Sequence, residues 1–136
     1  IMDYTMRNFF KTPFIYLILA FLISGCAFKQ PQLSQSATIL LKTPTMKFYD
    51  KGFITKYSDH TQVQIFSAGN MVLSLDIYED RICKSTFECL SLKEFNKENL
   101  NASYKDTFIK ELFEKADKNV IFKDKKAGVL IKIIRD

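Results

Sequence analysis

The strongest constraint on the fold lies in Met71–Tyr78. There Met71, Leu73, Leu75 and Ile77 alternate with Ser74 and Asp76. A period of two is the pattern of a strand with one dry face and one wet face. Thr61–Ser67 repeats it, with Val63 and Ile65 against Gln62 and Gln64. Only Ala68-Gly69-Asn70 separates the two runs. Parallel neighbours need a crossover of about a dozen residues, so the pair must be antiparallel. The same logic extends upstream. Ala37–Lys42 carries Ile39-Leu40-Leu41, and Thr45–Asp50 alternates Met46 and Phe48 against Lys47 and Tyr49. Asp50-Lys51-Gly52 reads as a turn into a strand over Phe53–Tyr57, and Ser58-Asp59-His60 reads as another turn. The expectation is a meander.

Downstream the period changes. Glu79-Asp80-Arg81 turns the chain into Ile82-Cys83. Ser91-Leu92-Lys93-Glu94 has the form of a capping box opening a helix through about Leu100. Ser103-Tyr104-Lys105-Asp106 repeats that form. Tyr104, Phe108 and Leu112, with Ile109, Phe113 and Ala116, then recur at helical spacing. Such a stripe faces a core. Asp106–Lys110 and Glu111–Lys115 are favourable pairs one turn apart. After Asp117-Lys118-Asn119, Val120–Lys123 and Val129–Ile134 read as a closing hairpin. The expected class is α+β: an antiparallel β-sheet meander, with two helices before the C-terminal hairpin packed on one side. Thirteen Phe and six Tyr supply apolar bulk for one core in a chain of 136 residues. No internal repeat or low-complexity segment interrupts it.

The amino-terminal segment follows another rule. Arg7 and Lys11 precede Phe14–Ile23, ten residues without a charge. A spanning helix needs about 20 apolar residues, whereas ten fit the apolar core of a secretory signal. Ile23-Ser24-Gly25-Cys26 resembles the bacterial lipoprotein box, with Ile standing where Leu is commoner. The resemblance implies cleavage before Cys26, a diacylglycerol on its thiol and an acyl group on its new amine. One acyl chain holds a membrane marginally, at ~0.8 kcal/mol per buried methylene, whereas two or three hold permanently. Residues 1–5 lie outside this pattern, and Met6 is the expected initiator. Ala27 follows the cysteine; by the same resemblance, the absence of Asp there points to the outer membrane. The expected organisation is a signal peptide over 1–25, a lipidated tether over 26–36 and one periplasmic domain over 37–136.

The formal net charge is +5, and it falls to +4 without residues 1–25, which hold Arg7, Lys11 and Asp3. A mild excess of this kind suits an anionic lipid surface, and equally suits simple solubility. Nucleic acid is not expected as a partner of an exported protein.

Few residues carry the pattern of chemistry. Cys83 and Cys89 stand six positions apart, and in an exported chain they read as a disulfide. Free thiols, or a metal or redox pair, are the other readings. A redox pair prefers two intervening residues at a helix start, and zinc needs two further ligands in a chain with one His. That His60 lies in a polar stretch beside Asp59 and reads as an exposed loop residue. No nucleophile elbow accompanies it. Glu79-Asp80, and Glu94 with Glu98, read as solvated acids rather than a catalytic pair. Four glycines form no phosphate loop. Asn101-Ala102-Ser103 matches a minimal glycosylation sequon without the acid that bacterial systems require two residues earlier. No catalytic residue, metal or cofactor is expected, apart from the covalent lipid on Cys26.

From Ala37 onward the chain resembles small outer-membrane lipoproteins of the Helicobacter and Campylobacter group. The resemblance rests on Ala37-Thr38-Ile39-Leu40-Leu41-Lys42, on Gln64-Ile65-Phe66-Ser67-Ala68-Gly69, on Phe95-Asn96-Lys97, and on Ile121-Phe122-Lys123-Asp124 with Leu130-Ile131-Lys132-Ile133. It implies the paired cysteines as well, and an address without an activity. The expected function is therefore a non-enzymatic, lipid-anchored outer-membrane lipoprotein. Its expected partners are outer-membrane lipid and an envelope protein or lipoprotein. The alternative is a LolB-like carrier with an open half-barrel for lipid or lipoprotein.

Overall fold

The computed structural model describes residues 16–21, 33–85 and 87–136. Residues 16–21 are helical (α1). The remaining elements run β1 (Leu33–Lys42), β2 (Lys47–Lys56), β3 (His60–Ser67), β4 (Asn70–Tyr78), β5 (Arg81–Cys83), β6 (Cys89–Ser91), α2 (Leu92–Asn99), α3 (Phe108–Glu114), β7 (Asn119–Asp124) and β8 (Val129–Arg135). The strands form one antiparallel sheet in the order β6-β5-β4-β3-β2-β1-β8-β7. The α+β class and the closing hairpin are as expected. The hairpin does not extend the meander at its late edge; β8 returns to pair with β1.

Alternation decides which face is dry. Ala37, Ile39 and Leu41 of β1, Val63 and Ile65 of β3, Leu73, Leu75 and Ile77 of β4, and Ile131 and Ile133 of β8 are buried on one face. Helices α2 and α3 cover that face with Leu92 and Phe95, and with Ile109, Leu112 and Phe113. Each large apolar side chain so buried contributes about 1.5–3 kcal/mol. Ser91 caps α2, its hydroxyl accepting from the Glu94 amide at 3.2 Å.

Four expectations need correction. Asp50-Lys51-Gly52 is not a turn but the middle of β2, whose ten residues pair with β1 throughout. Gly52 is required there by proximity: a Cβ on it would overlap the Gln64 carbonyl oxygen and meet Ile39 Cδ1 at 3.1 Å. Residues 33–36, expected in the tether, are paired strand. The second helix starts at Phe108, because Ser103 is engaged elsewhere: its amide and hydroxyl both donate to Asn101 Oδ1, at 2.9 and 2.7 Å. Lys110 then reaches Glu79, at 3.9 Å, and Glu111 accepts from Thr107 at 3.2 Å. His60 is the fourth correction, described below.

Ala68 and Gly69 both have positive φ, 52° and 82°, at the β3–β4 turn. Two left-handed residues match the twist of a two-residue hairpin.

Candidate functional site

Cys83 and Cys89 face each other across β5 and β6, with Cα atoms 4.0 Å apart, and form a disulfide. The ring is closed further by the Lys84 amide donating to the Glu88 carbonyl at 2.9 Å. It ties the β5–β6 hairpin at one edge of the sheet, from which α2 departs. Phe87 is exposed in its loop. Cys26, the expected lipidation residue, lies outside the described residues.

His60 is not an exposed loop residue. It opens β3, and its side chain is only 12% exposed. The Tyr57 ring stacks on one face at 4.5 Å and 7°, and Tyr78, paired with it across β4, lies on the other at 4.8 Å and 25°. The Arg81 guanidinium covers the far side of Tyr78 at 4.0 Å. Four planar groups thus form one column: a cation over an aromatic ring, an imidazole and a second ring. His60 Nδ1 is 2.7 Å from Asp59 Oδ1, and Nε2 is 3.8 Å from Asp76 Oδ1. Gln62 Nε2 holds that same Asp76 oxygen at 3.0 Å.

The column lines a notch of about 660 Å³ at the end of the sheet. Lys56, Arg81 and Lys110 line it with Asp59, Glu79, Asp80 and Glu114. The alternation of sign leaves no single charge class that it would select. Asp59 and His60 resemble two members of a nucleophilic triad, in which the other imidazole nitrogen must face a hydroxyl. Here that nitrogen faces the Asp76 carboxylate. Glu79 and Asp80 both border the notch; Glu79 lies 3.9 Å from Lys110, and Asp80 pairs with Arg81 at 2.9 Å. Glu94 and Glu98 are exposed. Among the described residues no group of three or more His, Cys, Asp or Glu side chains is placed to hold a metal ion.

Two further polar devices serve the fold. The Tyr104 hydroxyl donates to Asp124 Oδ2 at 2.6 Å, beneath a cluster formed with Phe108 and Phe122. Desolvation, then the bond to Asp124, pushes the Tyr104 phenol above its ordinary range. The same bond, with the Ala127 amide, holds Asp124 below the usual carboxylate range. Arg135 is buried and donates to the Asp117 and Phe113 carbonyls at 2.7 and 3.0 Å. The Phe113 carbonyl lies in the last turn of α3, where no helical amide can reach it, and Asp117 lies in the segment that follows. Burial lowers its pKa, with Asp117 opposing that shift.

The aromatic column escapes a linear reading because Tyr57, His60, Tyr78 and Arg81 have no common sequence period. The β3–β4 register that brings His60 onto Tyr78 is the only signal that could have found it. Comparison of the chain with family models, with curated proteins and with solved structures found no significant match. Among the described residues no helix is long and apolar enough to cross a membrane.

Proposed function

We propose that the chain is a lipid-anchored lipoprotein of the bacterial outer membrane that faces the periplasm. In this reading it acts without catalysis, as an envelope-interaction or structural module. The observation that carries this is Ile23-Ser24-Gly25-Cys26 directly after a ten-residue apolar run. The thiol of Cys26 takes a diacylglycerol and its amine an acyl group, and together these hold a bilayer where one chain would not.

The fold supports a module over a LolB-like carrier. A carrier needs an apolar cavity beneath its sheet. Here the covered face is occupied by Ile109, Leu112 and Phe113, each at most 4% exposed. The notch beside His60 is lined by charged and aromatic groups, and a second, of about 430 Å³, is bordered by Leu33, Ile54 and Phe113 together with Lys56, Glu114 and Lys115. The test is palmitate labelling of cells making the wild type or Cys26→Ala, followed by envelope fractionation. The wild type is expected to label and to sediment with outer membrane. Equal labelling of both proteins refutes the anchor.

A further inference from the structure

The face of the sheet away from the helices carries its own pattern. Strand pairing arranges its residues in rows that cross β7, β8, β1 and β2. One row runs Lys123, Leu130, Lys42, Lys47, and the next Ile121, Lys132, Leu40, Tyr49. A third runs Asn119, Ile134, Thr38, Lys51. Neighbours within a row are separated by about 4.8 Å, the spacing of paired strands. Five lysines are thus interspersed with apolar and neutral side chains, and no acid occurs in these rows. The nearest acid on this face is Asp136, which pairs with Lys51 at the border at 3.0 Å.

Two properties of this surface are costly in water. Tyr49 and Ile121 are 69% and 64% exposed, and Phe53 and Ile134 more than 40%. Lys42 and Lys47 stand directly opposite one another, and like charges so placed destabilise a sheet. Both costs vanish against a layer that is negative at its surface and apolar just beneath. The other half of the same face is different. It carries Gln62, Gln64, Ser74 and Asp76 between the His60–Tyr78–Arg81 column and the Phe66–Met71 pair, and no lysine.

We propose that the outer face of β7–β8–β1–β2 docks on an anionic lipid surface, the membrane that also holds Cys26. This rests on the anchoring reading above. Leu33, the first residue of β1, follows Cys26 by seven positions. Seven residues reach at most about 25 Å, so an acylated Cys26 keeps the start of β1 within that distance of the headgroups. A lysine attracts lipid phosphate only within a Debye length, ~8–10 Å at ordinary salt. The short tether makes that approach intramolecular, with a correspondingly high effective concentration. Lysines then meet phosphates, while Leu40, Tyr49, Leu130 and Ile134 enter the boundary between headgroups and chains.

The test uses the full acylated protein in vesicles of phosphatidylcholine, with or without about 30 mol% phosphatidylglycerol. Hydroxyl-radical footprinting reads Tyr49 and Phe53, with the exposed Phe87 as internal control. At about 50 mM salt, Tyr49 modification should fall about threefold on anionic vesicles only, and return at about 0.5 M. Lys42→Glu with Lys47→Glu should abolish the protection while Phe87 stays unchanged. Equal Tyr49 modification on both vesicles overturns the proposal. So does protection seen in native envelopes but not on anionic vesicles, which would mean a protein covers this face. The intact mass of the same preparation separates the two readings. A protein without acyl chains refutes the anchor, whereas an acylated protein with unprotected Tyr49 refutes the face alone.

Discussion

Gly52 gives the sharpest test of the packing. Its backbone lies so close to Gln64 of β3 that an added Cβ would overlap the Gln64 carbonyl oxygen. The Ile39 Cδ1 atom, 3.1 Å away, can rotate aside, but the carbonyl is held in the β2–β3 ladder. Gly52→Ala must therefore spread two central strands. Overpacking of this kind costs about 1–3 kcal/mol, and a backbone obstacle places it at the upper end. Alanine also reduces the entropy of the unfolded chain, which returns about 0.4–1 kcal/mol. The net expected loss is about 2 kcal/mol. With an unfolding entropy near 2.1 cal/mol/K per residue over the 104 residues from Leu33 to Asp136, that lowers Tm by about 9 °C. Gly69→Ala is the control: nothing lies within 4 Å, and only its φ of +82° opposes a side chain. Its cost is about 1 kcal/mol, or about 5 °C. Thermal unfolding followed by circular dichroism, with the disulfide intact, reads both. A Gly52→Ala protein within 2 °C of wild type, or more stable than Gly69→Ala, refutes the close-approach argument (~1 kcal/mol is about 4–8 °C at this size).

Other consequences follow from the same structure. Reducing Cys83–Cys89, or replacing both by Ser, removes a small ring worth roughly 2 kcal/mol; urea unfolding should show a lower midpoint at an unchanged slope, and an unmoved midpoint contradicts the edge-pinning role. His60→Ala should lose about 1–2 kcal/mol from the aromatic column, and His60→Phe should recover at least half of it in the same melts; equal losses would assign the stability to the Asp59 bond instead. The Tyr104–Asp124 pair sets two pH limits. The Tyr104 phenol is raised, so its contribution is complete below about pH 10 and declines as pH rises beyond it. Asp124 is lowered, so its contribution is present above about pH 4 and declines as pH falls further. Tyr104→Phe should flatten the stability profile above pH 10 relative to wild type (~10 is the ordinary phenol value), and two parallel profiles would remove the pair from the account.

The sequence was most legible where one periodicity acted alone. Met71–Tyr78 and Thr61–Ser67 are both strands with Val63, Ile65, Leu73, Leu75 and Ile77 inward, but Met71, expected among them, is exposed because the β3–β4 register shifts between Ile65 and Phe66. The stripe of Ile109, Leu112 and Phe113 is core, as helical spacing implies. Legibility failed where one residue type has two physical uses. Asp-Lys-Gly suggests a turn, but Gly52 serves a close backbone approach inside a long strand. Ser103 with Asp106 has the form of a helix cap, but Asn101 captures the serine first. The short strands β5 and β6 have three residues each, too few for any period, and only the disulfide marks them. The candidate sites were hidden for a different reason. The His60 column and the lysine rows exist only after strands are placed in register, and β8 beside β1 is a pairing across about 90 residues of chain.

Whether Cys26 ties this fold to a membrane is read by intact-mass spectrometry of protein extracted from the envelope. The expected species is a chain beginning at Cys26 that carries a thioether-linked diacylglycerol and an amide-linked acyl group. A free Cys26 thiol, or a chain retaining residues before Cys26 in the steady-state protein, would contradict the anchor.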